Sequence, residues 1–111
     1  LAGEQAARAH LEGLGYTLCA ARWRCAAGEI DLIMRDRALL VFVEVRTRRS
    51  AESGAPFESI TARKQAKLMA VAHTYLAENG LEDVPWRIDA VGVTVAGGRL
   101  TVEVIENAVG W

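Results

Sequence analysis

Two apolar runs that each carry one carboxylate constrain this chain more than any other feature. Glu29 to Arg35 and Leu39 to Thr47 are rich in Ile, Leu, Val and Phe and read as strands, and the polar Asp36-Arg37 pair between them favours a hairpin. Asp31 stands between Ile30 and Leu32, and Glu44 between Val43 and Val45. Ionised carboxylates in such surroundings are costly unless they are paired, hydrogen-bonded or bound to a metal. Hairpin geometry relates the two. A two-residue turn at Asp36-Arg37 sets Asp31 opposite Phe42 and diagonal to Glu44, whereas a four-residue loop sets Asp31 directly opposite Glu44. Either register puts both carboxylates on one face, roughly 5 to 8 Å apart. A three-residue loop sends them to opposite faces.

Arg46 lies two residues beyond Glu44 and projects from the same face, as Glu29 does beside Asp31. Carboxylates with a cation nearby are the usual cradle for Mg²⁺ or Mn²⁺ in phosphodiester cleavage, where the metal activates water and the cation steadies charge on the phosphate. The same spacing also suits a plain cross-strand ion pair between Asp31 and Arg46.

The rest of the chain surrounds this hairpin with helices and further strands. Gly3 to Leu14 places Ala6, Ala7, His10, Leu11 and Leu14 at helical intervals, with Gly15 where a C-terminal cap belongs. Tyr16 to Cys25 reads as a strand and Ala26-Ala27-Gly28 as a turn, while Arg48 to Ser59, which includes Pro56, reads as a loop. Ser59 or Thr61 caps a second helix running to Asn79, with Gly80 ending it. After Pro85 come two alternating segments, Trp86 to Val95 and Arg99 to Ile105, joined at Gly97-Gly98. The order α, β, β, β, α, β, β implies a mixed sheet flanked by helices. At 111 residues, 51% apolar and 24% charged, the chain suits one domain spanning residues 1–111 and excludes a disordered tail.

No membrane span is expected, since the longest unbroken apolar run, Ala38 to Val43, falls far short of the roughly 20 residues such a helix needs. Cys19 and Cys25 form no CxxC or Cys/His cluster, which argues against zinc; two free thiols suit a reducing cytoplasm. No secretory signal is visible, and because the chain begins at Leu1, a short preceding stretch is expected. The net charge of −1 conceals a basic island: Arg46 to Lys67 carries six cations against Glu52 and Glu58. Arg48, Arg49, Arg63 and Lys67 in that island are candidates for phosphate contacts.

Lys64 falls four residues after Ile60 and four before Leu68, on the helical stripe that should face the sheet. Such a lysine either reaches the carboxylate pair or snorkels out of the first turn. Glu4, in the first turn of helix one, suits the helix dipole and is also placed to act as a further metal ligand. Trp23, Trp86 and Trp111 read as filling the core or its rim, with Trp23, between Arg22 and Arg24, the one tryptophan placed to stack on a base; His10 and His73 read as helix-surface residues.

Gly28-Glu29-Ile30-Asp31-Leu32-Ile33, followed by Phe42-Val43-Glu44-Val45-Arg46-Thr47-Arg48, resembles the signature of the YraN family of small bacterial proteins. Supporting matches run nearly the full length: Gly3-Glu4, Gly15-Tyr16, Pro56, Lys64, Arg87-Ile88-Asp89-Ala90-Val91 and Ile105-Glu106-Asn107-Ala108. That family is similar to the restriction-endonuclease-like superfamily, with its Asp and Glu-x-Lys motif, and to archaeal Holliday junction resolvases. The resemblance implies an α/β fold with an αβββαβ core and an additional C-terminal strand. It further implies Asp31 and Glu44 as ligands of Mg²⁺ or Mn²⁺, position 46 as the catalytic cation, Glu4 as the helix-one glutamate, and structured or branched DNA as substrate. Two-fold symmetric junctions would call for a homodimer. The chain departs from the motif in carrying Arg at position 46, and a guanidinium stabilises phosphate charge but does not deprotonate water. Lys64 is placed to supply the missing amine, or water activated by the metal needs none. The rival expectation is a nucleic-acid-binding or protein-interaction module that keeps the fold without cleaving.

Overall fold

The computed structural model describes residues 2–49 and 57–109. Seven elements follow in the order the sequence implies: α1 (Ala2–Gly13), β1 (Thr17–Cys25), β2 (Gly28–Asp36), β3 (Leu39–Arg49), α2 (Ala62–Glu78), β4 (Trp86–Ala96) and β5 (Arg99–Ile105). The strands form one sheet in chain order, β1-β2-β3-β4-β5. Only β3 and β4 are parallel, because α2 carries the chain back across the sheet between them. This is the mixed, helix-flanked αβββαβ core expected, with β5 added at the edge.

Both faces of the central strands are covered, which is why β2 and β3 are nearly continuous apolar runs rather than alternating ones. α1 buries Ala7 and Leu11 on one face, against Leu32, Met34, Val41, Val43, Val91 and Val93. α2 buries Leu68, Val71, Ala72 and Leu76 on the other, against Ile30, Ile33, Leu40, Phe42 and Ile88. Each fully buried aliphatic side chain contributes about 1.5–3 kcal/mol. Gly15, at φ +99°, ends the turn after α1, where the Tyr16 N–H bonds back to the Leu11 carbonyl. Thr61 is the N-cap of α2, its side chain accepting from the Lys64 N–H.

Two expectations change. The β2–β3 turn lies at Arg37-Ala38, one residue later than expected: Asp36 still pairs with Leu39, and Arg37 takes the left-handed φ of +58° that the tip requires. β3 runs on to Arg49 instead of giving way to loop at Arg48, because β4 keeps pairing with it through Arg48↔Thr94 and Arg49↔Val95. Trp23 takes the expected place at the rim of the core, edge-on against Tyr75 on the α2 face. Pro56, Trp111 and the middle of the expected loop lie outside the described residues.

Gly92 on β4 is buried, and a Cβ there would run into the Phe57 ring. Gly92→Ala is therefore expected to lower stability by about 1–3 kcal/mol in urea denaturation, because the ring has to leave its seat. An unchanged midpoint would show that Phe57 does not pack there.

Candidate metal centre at the β2–β3 fork

β2 and β3 pair from Asp36↔Leu39 to Leu32↔Val43. Continued by one step, this register sets Asp31 opposite Glu44, but the ladder stops there and the strands part. β3 stays bonded to β4 along its other edge, so its open edge faces a fork. At the mouth of the fork Asp31 Oδ2 accepts the Val45 N–H at 2.7 Å, replacing the backbone acceptor that β2 no longer offers.

The parting is matched on β1. Ala21↔Leu32 and Trp23↔Ile30 flank Arg22, which stands at φ +52° opposite Asp31. Face alternation slips there on both strands: Ala20 and Trp23, three residues apart, pack on one core, and so do Ile30 and Ile33. Asp31 is thus turned out of the regular pleat by a distortion shared across two strands.

Glu44 lies on the α2 face, its side chain 16% exposed, and Lys64 Nζ stands 3.2 Å from Oε2. The Thr61 cap aims this first turn of α2 at β3. Burial drives the Asp31 carboxyl up to about 6; the Val45 N–H opposes that rise, while the charge of Glu44, a hydrogen bond with Glu44 and the charge of Glu4 add to it. The continued register and the mutual effect of the two charges place Asp31 and Glu44 together at the mouth of the fork.

Arg46 does not pair with Asp31. Its guanidinium donates to the Glu58 carbonyl and lies 6.0 Å from the centroid of Phe57. Arg48 donates to Thr94 Oγ1 at 3.1 Å and stacks on Phe57 at 3.9 Å. Arg49, Arg63 and Lys67 are exposed. Glu4, in the first turn of α1, is held by Arg22 Nε at 3.1 Å. A groove of about 260 Å³ is lined by Glu44 and Arg46 of β3, by Glu58 to Thr61, and by Lys64 of α2. The structure thus gathers Asp31, Glu44 and Lys64, keeps Arg46 at the groove wall, and ties Glu4 to a partner of its own.

Among the described residues, no three His, Cys, Asp or Glu side chains close on a point. The donor set is a pair. Mg²⁺ commonly takes one or two carboxylates and leaves its other positions to water and phosphate, so Asp31 and Glu44 fit such a cation.

Sequence reasoning missed Arg22 and Phe57, which carry no spacing signal. It also passed over the one fully buried carboxylate among the described residues: Asp89, 1% exposed, accepts from Arg87 Nε at 2.9 Å and from the Asn107 N–H at 2.9 Å. Arg87 also donates to the Tyr16 hydroxyl at 3.0 Å. Burial works against the Arg87 charge, but the hydrogen bond and charge of Asp89 outweigh it and raise its pKa. Asp89 sits between Ile88 and Ala90, the signal that flagged Asp31 and Glu44; here the partner is an arginine and the role architectural.

Comparison with known proteins places these residues among relatives. The chain is 48% identical over 99 residues to a UPF0102 protein of Chloroflexus aurantiacus, covering 88% of this chain and 80% of that one. It is 47% identical over 110 residues to a UPF0102 protein of Roseiflexus castenholzii, covering 96% and 89%. A relative in Neisseria meningitidis, UPF0102 protein NMC2069, is 43% identical over 109 residues, covering 98% and 92%. No helix among the described residues is long and apolar enough to cross a membrane. Fold and family together relate the chain to nuclease-like proteins. The model of uncharacterised protein family UPF0102 matches residues 3–93, from the glycine before Glu4 into the buried stretch of β4, and the chain belongs to that family.

Proposed function

We propose that the protein is a metal-dependent, endonuclease-like enzyme of the bacterial cytoplasm that hydrolyses phosphodiesters in structured or branched DNA. The observation that carries this reading is the convergence of Asp31 and Glu44 at the fork, with Lys64 on Glu44. Bound there, Mg²⁺ or Mn²⁺ would activate water and screen phosphate charge. Asp31 and Glu44 supply the oxygen donors, and the Val45 N–H fixes the Asp31 carboxylate. Lys64, 46% exposed, reaches from Glu44 toward the groove, where its ammonium contacts the scissile phosphate. Arg46, which also lines the groove, steadies charge without moving a proton. Arg49, Arg63 and Lys67 guide the backbone; Arg48 joins them only by leaving Phe57.

Arg46 also favours a second reading. Its guanidinium is bound to the Glu58 carbonyl and no lysine stands at that position, which suits a DNA-binding or protein-interaction module that keeps the fold without cleaving. Mn²⁺ calorimetry together with nicking assays on junction, flap and linear DNA separates the two. Metal binding and nicking that both vanish in Asp31→Asn support the enzyme; metal binding without nicking of any substrate supports the module.

Salt dependence tests the approach surface. Replacing Arg49, Arg63 or Lys67 by Ala is expected to flatten the slope of log affinity against log salt by about one unit for each lost phosphate contact. An unchanged slope would make these residues ordinary solvated cations.

A further inference from the structure

One face of β4 loses its bulk beside the groove. Side chains alternate along a strand, so Ile88, Ala90 and Gly92 share the α2 face, while Val91 and Val93 lie in the core under α1. Ile88 packs against α2, but the next two positions on its face offer one methyl group and none. Phe57 covers Gly92, its ring filling the space a Cβ would need, and Arg48 stacks on that ring at 3.9 Å. Beside the ring remains a pocket of about 220 Å³. Ala90 and its ladder partner Ile105 line it from the sheet, Phe57 and Ile60 from the segment that leads into α2, and Ala108 from the chain after β5. Sheet faces are normally packed tightly by larger side chains, so small residues here leave room for an occupant.

The pocket is continuous with the groove. Arg46, Glu58, Ser59 and Ile60 line both. Glu44 on β3 is the ladder partner of Ala90 on β4, so the backbones that carry the candidate ligand and the pocket are one strand spacing, about 4.8 Å, apart. A phosphodiester seated beside Glu44 and Lys64 brings a sugar and a base with it. From this geometry we infer that the pocket takes an unpaired nucleobase of the bound strand, packed against the ring of Phe57 while Arg46 meets the adjoining phosphate. The inference rests on the reading of the groove as a DNA site, and it narrows the substrate to strands with an unpaired nucleotide beside the scissile phosphate. A base inside a duplex is stacked and paired and must first be turned out, at a cost that is least where pairing is already broken. The lining is mainly apolar and every base has a π-face, so the pocket selects an unpaired base without reading its identity. The guanidinium of Arg46 suits an occupant tied to phosphate rather than a wholly apolar one.

The experiment is fluorescence anisotropy on the whole chain with three DNAs: a duplex carrying a one-nucleotide bulge, the same bulge with an abasic residue, and the fully paired duplex. Ca²⁺ replaces Mg²⁺ to keep the strands intact. Wild type is expected to bind the base-bearing bulge about 5–150-fold more tightly than either of the others, the range for one base on an aromatic platform. Ala108→Leu fills the pocket and Phe57→Ala removes its aromatic wall. Each should bind the base-bearing bulge as weakly as wild type binds the abasic one, with affinity for the abasic DNA unchanged, which separates loss of the pocket from loss of the fold. Phe57→Tyr should keep the preference. Equal wild-type affinity for the base-bearing and abasic bulges, or for the base-bearing bulge and the paired duplex, overturns the pocket and leaves the DNA reading in place. A preference that persists in Ala108→Leu also overturns it, and this variant decides the matter if Phe57→Ala weakens binding to every DNA. If wild type binds none of the three, the pocket and the DNA reading fall together.

Discussion

Asp31→Asn should melt higher than wild type and bind Mn²⁺ more than about 100-fold more weakly, since loss of a ligand exceeds the 10–100-fold cost of losing a ligand's partner. The stability gain follows from the bonds. An asparagine keeps an oxygen to accept the Val45 N–H and turns an N–H toward Glu44, while the buried like charge disappears. A gain of about 1 kcal/mol, allowing for screening by solvent, corresponds to a rise of about 4 °C for a domain of this size. The pH dependence has a definite sign. Asp31 titrates near 6 in the fold against 3.8 when free, so between those values the folded chain holds a proton that the unfolded chain has released. The contribution of this group to stability therefore grows as pH falls from 6 to 4 and is lost as pH rises through 6. In Asp31→Asn that part of the pH profile should be flat. A variant that melts lower, or keeps full Mn²⁺ affinity, would reduce Asp31 to an architectural cap on Val45.

Asp89→Ala is expected to be the most destabilising substitution discussed, costing about 3–5 kcal/mol in chemical denaturation. Removing the carboxylate takes from Arg87, only 21% exposed, its closest ion-pair partner, with Glu106 at 3.5 Å and the Tyr16 hydroxyl remaining, and leaves the Asn107 N–H without its acceptor. The Ala108 N–H bonds to the Ile88 carbonyl next door and Val109 is 1% exposed, so the segment after β5 is docked through the same place. Burial of the pair is itself costly, and much of the loss in Asp89→Ala is the penalty of a largely buried guanidinium left with only the more distant and exposed Glu106 as counter-charge. Replacing both partners, as Arg87→Met with Asp89→Leu, should therefore recover more than half of it. No recovery would mean that the Asn107 bond, and not the ion pair, is what Asp89 provides.

Residue pattern anticipated the fold closely. The two apolar runs of β2 and β3, the caps at Gly15 and Thr61 and the Gly97-Gly98 hairpin are local signals, and each acts through a few neighbouring residues. The candidate centre was legible only in part. Apolar neighbours on both sides singled out Asp31 and Glu44, but the same mark at Asp89 denotes a structural ion pair, because flanking residues do not reveal what lies across the sheet. Lys64 was placed on the correct stripe by helical spacing, while the choice between reaching Glu44 and turning outward depended on how the Thr61 cap aims the first turn. The Arg22 distortion left no trace in composition, since a left-handed residue is visible in sequence only when it is glycine or asparagine.

The β1 edge has a consequence for behaviour at high concentration. β1 is an outer strand, and a long flat outer strand offers its free amides and carbonyls to any second molecule. A shift of pairing between Leu18 and Ala20, followed at once by the twist at Arg22, breaks that template into pieces too short to recruit a neighbour. The irregularity that opens the fork thereby also guards the molecule against stacking edge to edge into aggregates.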